Sequence, residues 1–170
     1  MDSSGIALSR EKIREVTKII RTACGLEKEM YFPVVNFIEW CLPTVDMEFS
    51  FVVVPVSEMP ENYGLTNTAR HEIKIREDVY LKAKNGNPRD RFTMCHELGH
   101  YFLHQPGLVS LARGDVPKYC QPEWQANTFA GELMAPYELI RGKSIEEIAE
   151  KCGMSRQAST IQYNLCNNLM

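Results

Sequence analysis

The feature that most constrains this chain is a pair of histidines four positions apart with a glutamate after the first, in His96-Glu97-Leu98-Gly99-His100. Residues i and i+4 share one face of an α-helix, so both imidazoles can bind one metal ion there. Glu97 then lies one position round the helix, where its carboxylate can take a proton from a zinc-activated water. The pattern therefore predicts a helix that carries a hydrolytic zinc site.

The flanking sequence favours the helix that this chemistry requires. Asn87 is suited to an N-cap and Pro88 to the first helical position, with the acidic Asp90 in the first turn. An apolar face follows at helical spacing, formed by Phe92, Cys95, Gly99 and Phe102. The motif is therefore predicted to lie on a helix with one buried side.

Catalytic zinc usually takes three protein ligands, so a third ligand is expected elsewhere. His104 follows His100 by four positions, but on one helix it would lie about 12 Å along the axis from His96. Glu123 is the better candidate, because Pro122 suits the start of a second helix. Asn127 is one turn further on, where it can accept a hydrogen bond from a zinc-bound histidine.

Two alternatives for this second helix remain open. Glu123 can be read as an acidic residue that the positive end of the helix dipole favours. Glu132 is a competing carboxylate, but nine residues at about 100° each place it on the opposite side of the helix from Glu123.

Two segments resemble the signatures of the ImmA/IrrE-type metallopeptidases. The first runs from Arg91 to His104 and the second from Glu123 to Pro136, where Ala135 departs mildly from the larger apolar residue usual in the family. The resemblance implies a peptidase with one Zn²⁺ per chain. It implies that His96, His100 and Glu123 are the ligands and Glu97 the general base.

Composition indicates a small globular protein. The chain has 170 residues, 44% of them hydrophobic, and a formal net charge of −3, so it has no general attraction for nucleic acid or anionic membranes. The six cysteines are scattered without a C-x-x-C pair, which suits a reducing cytosol. Neither a signal segment nor a membrane-length apolar run is found, so we expect a cytoplasmic protein that does not bind membranes.

The predicted fold is α+β: a small zincin-like domain in which helices flank a short mixed sheet. Residues 47–53 and 71–76 alternate in hydrophobicity as strands do, and the turn residues between them include Asn62 and Gly64. We expect the strand at 71–76 to run beside the active helix. If it lies at the sheet edge that borders the cleft, a substrate peptide could add to it, by resemblance to zinc peptidases.

Residues 139–170 are predicted to form a helical tail packed on a metallopeptidase domain of residues 1–138. The stretch from Ser144 to Ala158 resembles a helix-turn-helix, with Gly153 ending one helix and Ser155 capping the next. Residues 141–170 contain only four basic and three acidic side chains, which argues against direct nucleic-acid binding. A protein-docking surface is the remaining alternative.

Peptide hydrolysis also needs a hydrogen-bond donor for the tetrahedral oxyanion. Four side chains are candidates for this role or for substrate contact: Tyr119, Tyr101, His104 and Arg113. Gln105–Gln121 has the composition of a loop that borders a cleft, and the sequence does not choose among the four.

Two functions follow from these patterns. The first is a zinc-dependent intracellular endopeptidase, and the resemblance implies a protein substrate that is itself a DNA-binding regulator, such as a repressor or an antitoxin-like protein. The alternative is a non-catalytic module that docks a transcription regulator or DNA. The complete set of His96, His100, Glu97 and Glu123 argues for the enzyme.

Overall fold

Three short strands form a mixed sheet in the computed structural model, which describes residues 6–106 and 117–168. The strands are β1 (Ser50–Val54), β2 (Gly64–Asn67) and β3 (Glu72–Arg76), and their order in the sheet is β1-β3-β2. β1 runs parallel to β3, whereas β2 runs antiparallel to it. Helices pack against this sheet and against one another, so the predicted α+β zincin-like fold is confirmed.

The helices follow in chain order. Before the sheet lie α1 (Arg10–Ala23), α2 (Val34–Asn36), a π-helical turn (Phe37–Cys41) and α3 (Leu42–Val45). After it lie α4 (Glu77–Lys84), α5 (Pro88–Leu103), α6 (Pro122–Met134), α7 (Tyr137–Ile140), α8 (Ile145–Cys152) and α9 (Arg156–Cys166). None of the described helices combines the length and the apolar character needed to cross a bilayer.

Local capping chemistry fixes the start of the helix that carries the two histidines. The Asn87 side chain accepts hydrogen bonds from the backbone N–H groups of Arg89 and Asp90, and Pro88 is the first residue of α5. Pro122 is likewise the first residue of α6, although no capping side chain precedes it. Both helices therefore begin where the sequence predicted, because each start is specified by neighbouring residues.

The strand at the edge of the sheet is not the one considered from the sequence. β3, which corresponds to the strand expected at 71–76, lies in the centre of the sheet, and β2 is the edge strand beside α5. The condition under which a peptide could add to residues 71–76, that this strand lies at the sheet edge, is therefore not met. β2 is only four residues long and begins at Gly64, so its amino-acid composition is typical of a turn.

The core lies between β3, α5 and α6 and extends into the tail. Ile73 and Ile75 of β3 are fully buried in one apolar cluster with residues of α5 and α6. Ile148 and Cys152 of α8 belong to the same cluster. Gly153 adopts a left-handed conformation with φ +63° between α8 and α9, and Ser155 caps α9. The tail helices thus share their buried surface with the helices that carry the site.

Arg91 connects α5 to the tail. Its side chain is only 1% exposed, and its guanidinium donates to the carbonyl oxygens of Cys152 at 3.2 Å and Gly153 at 3.3 Å. It also donates to the Phe32 carbonyl at 3.1 Å and stacks on Tyr31 at 3.8 Å. A buried cation is tolerated here because backbone carbonyls at the end of α8 accept its hydrogen bonds.

Replacing Arg91 should therefore weaken the attachment of the tail helices to α5. We expect Arg91→Leu to lower the free energy of unfolding by about 3 kcal/mol, since buried carbonyl groups lose their donors. Urea denaturation measures the change. Arg89→Leu, an exposed arginine on the same helix, is the matched control and should change stability by less than about 0.5 kcal/mol. Equal effects of the two substitutions would contradict the anchoring role of Arg91.

Candidate metal centre

Two imidazoles on one face of α5 point towards a common position. The Nε2 atoms of His96 and His100 lie 3.0 Å apart, and their ring centroids are separated by 4.7 Å. The spacing of four residues produces this arrangement because each turn of an α-helix takes 3.6 residues. The side that both rings face is the cleft.

Glu123 approaches the same position from the first turn of α6. Its carboxylate oxygens lie 3.3 Å from the Nε2 atom of His96 and 3.2 Å from that of His100. One ligand atom from each of the three residues falls within 4.8 Å of the others. Glu132, the competing carboxylate, is instead buried and paired with Arg14 at 2.9 Å. The helical phase of α6 thus brings Glu123 to the histidines and turns Glu132 away.

A close contact between α5 and α6 makes this convergence possible. A Cβ atom on Gly99 would lie 2.9 Å from the Ala126 Cα atom and 3.0 Å from its carbonyl oxygen. Any larger residue would therefore push the helices apart. Gly99 lies between the two histidines in sequence, and Ala126 is almost one turn beyond Glu123, so the contact sets the distance between the ligands.

The donor set fits a zinc ion. Two imidazole nitrogens and one carboxylate are the protein ligands of many catalytic zinc sites, which keep a further position for water. Burial, assisted by the neighbouring His96, lowers the pKa of His100 to about 4. The neutral imidazole, which is the form that binds a metal, is therefore the stable form of His100 at neutral pH.

The outer nitrogen of His96 has the partner that the sequence suggested. His96 Nδ1 lies 2.9 Å from Asn127 Oδ1, one turn along α6 from Glu123. Because an amide oxygen only accepts, the contact requires a proton on Nδ1 and leaves Nε2 free to bind a metal. Asn127 thus holds the ring in the tautomer that a metal ligand needs.

The Nδ1 atom of His100 begins a relay, which is a chain of hydrogen bonds between buried side chains. His100 Nδ1 lies 2.9 Å from His104 Nδ1, and His104 Nε2 lies 2.8 Å from Gln125 Oε1. Gln125 Nε2 in turn donates to the carbonyls of Ile6 and Tyr119, each at 2.7 Å. If His100 donates from Nδ1, then His104 accepts at its own Nδ1 and donates from Nε2 to Gln125. His104 is neutral in this arrangement, and each hydrogen bond of the relay has one donor and one acceptor. Burial also lowers the pKa of His104, which agrees with its neutral form.

Glu97 is held on the sheet side of the cleft. The Thr66 hydroxyl donates to Glu97 Oε2 at 2.6 Å, which fixes the carboxylate beneath β2. Burial raises the pKa of Glu97, and the hydrogen bond from Thr66 opposes this shift. A Cβ atom on Gly64 would lie 2.7 Å from Glu97 Cγ and 2.9 Å from Oε1. The edge strand therefore leaves room for this side chain only because it has glycine at position 64.

These groups line a cleft of about 900 Å³ between β2, α5 and the start of α6. Arg76 N–H donates to the Tyr63 carbonyl at 3.0 Å, at the start of the β2–β3 ladder. Because antiparallel ladder bonds alternate, the main-chain groups of Gly64 and Thr66 face away from β3, towards the open edge. The cleft is thus bordered by a strand edge on one side and by the metal ligands on the other.

The other candidates of the sequence analysis occupy different positions. Tyr101 is 3% exposed and its hydroxyl donates to Asp46, so it lies in the core and not in the cleft. His104 lines the cleft, but both of its ring nitrogens are engaged by His100 and Gln125. Tyr119 is half exposed but absent from the described lining of the cleft. Arg113 lies outside the described residues.

Sequence reasoning missed three residues that support the site. Gln125 and Thr66 contact groups far away in the chain, which no local pattern reveals. Gly64 could have been identified from the sequence, since an isolated glycine in a strand often marks a position where other atoms approach the backbone closely.

Comparison with known families adds one match. The model of the IrrE N-terminal-like domain, a peptidase family, matches residues 54–161, which is more than half of the chain. The matched region begins at the end of β1, contains all of α5 and α6, and ends within α9. No curated protein sequence matches this chain.

The relay through His104 should strengthen metal binding. We expect His104→Leu to weaken zinc affinity by about 10- to 100-fold, because His100 loses the group that orients its ring. Competition with a chromophoric chelator measures the affinity. His71→Asn is the control, since His71 lies outside the cleft lining and asparagine tolerates its left-handed conformation. Unchanged affinity in His104→Leu would show that the relay has no part in binding.

Proposed function

The chain belongs to the ImmA/IrrE-type family of metallopeptidases, and on that premise we propose that it is a zinc-dependent endopeptidase that cleaves a specific regulatory protein inside the cell. One observation carries the proposal. His96, His100 and Glu123 converge from two helices at the floor of an open cleft, and Glu97 is held beside them. A binding module would have no need of this arrangement.

The side chains divide the chemistry between them. Zinc bound by the three ligands would supply Lewis acidity towards a peptide carbonyl and a water molecule. Glu97 Oε2 is engaged by Thr66, so Oε1 is the oxygen that takes the proton of the attacking water. The same carboxyl group then protonates the leaving amine. A raised pKa suits Glu97 to this second step, because it holds the proton more firmly than an exposed carboxylate.

The edge of β2 is the natural place for the substrate backbone. An extended peptide can pair with the free main-chain groups of Gly64 and Thr66 by β-augmentation. Thr66 and Gly64 also contact Glu97. The peptide bond is thereby held within reach of the general base.

The substrate is proposed to be a repressor or an antitoxin-like DNA-binding protein. The family resemblance favours this class, and a small protein with one such cleft suits a few substrates better than general digestion. All six cysteines are free, which agrees with action in the reducing cytosol.

Removal of the general base separates the enzyme from the binding module. We expect Glu97→Gln to retain one equivalent of zinc and to lower kcat by at least about 100-fold, because an amide cannot accept the proton. The measurement combines zinc analysis with cleavage of a candidate regulator encoded beside this gene. Glu150→Gln, which removes an exposed carboxylate of α8, is the control. Biological activity that survives in Glu97→Gln would favour the binding module.

The space at Gly64 gives a second prediction. We expect Gly64→Ala to lower kcat by about 10- to 100-fold while zinc affinity stays unchanged, since the three atoms nearest to the new methyl group all belong to Glu97. Ser50→Thr, which adds a methyl group at an exposed position of β1, tests for general effects of such an addition. Full activity of Gly64→Ala would show that the position of Glu97 is not critical.

A further inference from the structure

A second depression continues from the active cleft towards the C-terminal helix. It has a volume of about 610 Å³ and lies between α6, α9 and the first half of α5. Tyr63, Phe92, Thr93 and Asn127 line both this groove and the cleft, so the two form one continuous surface. A peptide bound in the cleft therefore has a path into the groove.

The floor of the groove is apolar. Trp124 of α6 and Leu165 of α9 line it, together with Ile161, whose side chain is 46% exposed. Their exposed apolar surface would be covered by a side chain of a bound peptide. This apolar strip adjoins a site whose own chemistry acts on peptides.

The rim of the groove is positively charged. Its described lining residues include Arg10 and Arg89 and no acidic side chain, although the whole chain has a net charge of −3. The Arg10 guanidinium already forms an ion pair with the Glu132 carboxylate at 3.5 Å. Arg89 stacks over the Tyr63 ring at 5.3 Å. Its charge acts on the neighbouring Asp90, but it forms no direct ion pair among the residues that the structure describes. Arg89 can therefore form an ion pair with an acidic side chain of a bound peptide.

Strand direction indicates which part of a substrate reaches the groove. Antiparallel pairing is the more stable arrangement, and a peptide paired this way with β2 has its C-terminal side at Gly64. Tyr63, the preceding residue, lines the groove. The segment after the scissile bond therefore leaves the strand edge at the mouth of the groove.

We propose that this groove binds the substrate segment C-terminal to the scissile bond and selects an acidic side chain next to an apolar one. Arg89 pairs with the acidic group, and Trp124 and Ile161 contact the apolar group. The inference rests on the proposed peptidase function and adds a preference to it.

The test maps cleavage sites in a proteome-derived peptide library with the zinc-loaded full chain. The wild type should enrich Asp or Glu at one fixed position after the cleaved bond. Arg89→Glu should change that acidic-over-basic preference by at least about fivefold, as expected when an exposed ion pair becomes a repulsion. Arg141→Glu, an exposed charge reversal outside the groove lining, should leave the preference as in the wild type.

A pair of peptides tests the apolar floor. One contains the preferred cleavage site with its full C-terminal flank, and the other ends shortly after the scissile bond. Ile161→Glu should lower kcat/KM for the long peptide relative to the short one by about fivefold, mainly through KM. Ile19→Glu introduces the same change at a 68% exposed isoleucine of α1 and should leave the ratio unchanged.

The outcomes are distinguishable. Cleavage whose sequence preference is identical in the wild type and Arg89→Glu would overturn the groove while leaving the peptidase intact. A preference confined to the N-terminal side of the bond would do the same. Failure of the zinc-loaded wild type to cleave any peptide or candidate regulator would instead overturn the proposed function, and this inference with it.

Discussion

The contact between Gly99 and Ala126 determines the geometry of the whole site. Because the glycine has no side chain, α5 can approach the backbone of α6 more closely than any other residue would allow. The two histidines flank this contact on one helix, and Glu123 precedes it on the other. The ligands therefore meet only because the core between the helices is narrow at this point. Packing and metal chemistry are specified by the same few residues.

The proposed general base depends on a different element from the proposed metal ligands. Thr66 and Gly64 of β2 position Glu97, whereas Asn127, His104 and Gln125 orient the imidazoles. The strand proposed to hold the substrate is thus also the strand that holds the base. Occupation of its free edge and orientation of Glu97 are expected to be coupled, since a distortion of β2 would affect both. The metal ligands are more independent of the substrate, because their partners lie on α5 and α6.

The sequence predicted the parts of the structure that are specified locally. Asn87 and Pro88 fix the start of α5, and the helical phase of α6 correctly favoured Glu123 over Glu132 as the nearer carboxylate. β2 was missed because a four-residue strand with a glycine has the composition of a turn. Tyr101 was a reasonable candidate from its place after His100, but its hydroxyl meets Asp46, 55 positions earlier in the chain. Such long-range pairings carry no local signal, and for the same reason Gln125 was not identified.

The shortness of β2 has a consequence for any protein that this cleft acts on. An edge of four residues can pair only with backbone whose own N–H and C=O groups are unoccupied, so a helix or an interior strand cannot enter. A folded regulator must first expose such a stretch through local unfolding, or already have one in an interdomain linker. The opening equilibrium of the substrate then multiplies the intrinsic cleavage rate. Substrates that loosen under particular cellular conditions would be degraded selectively, with no change in the peptidase itself.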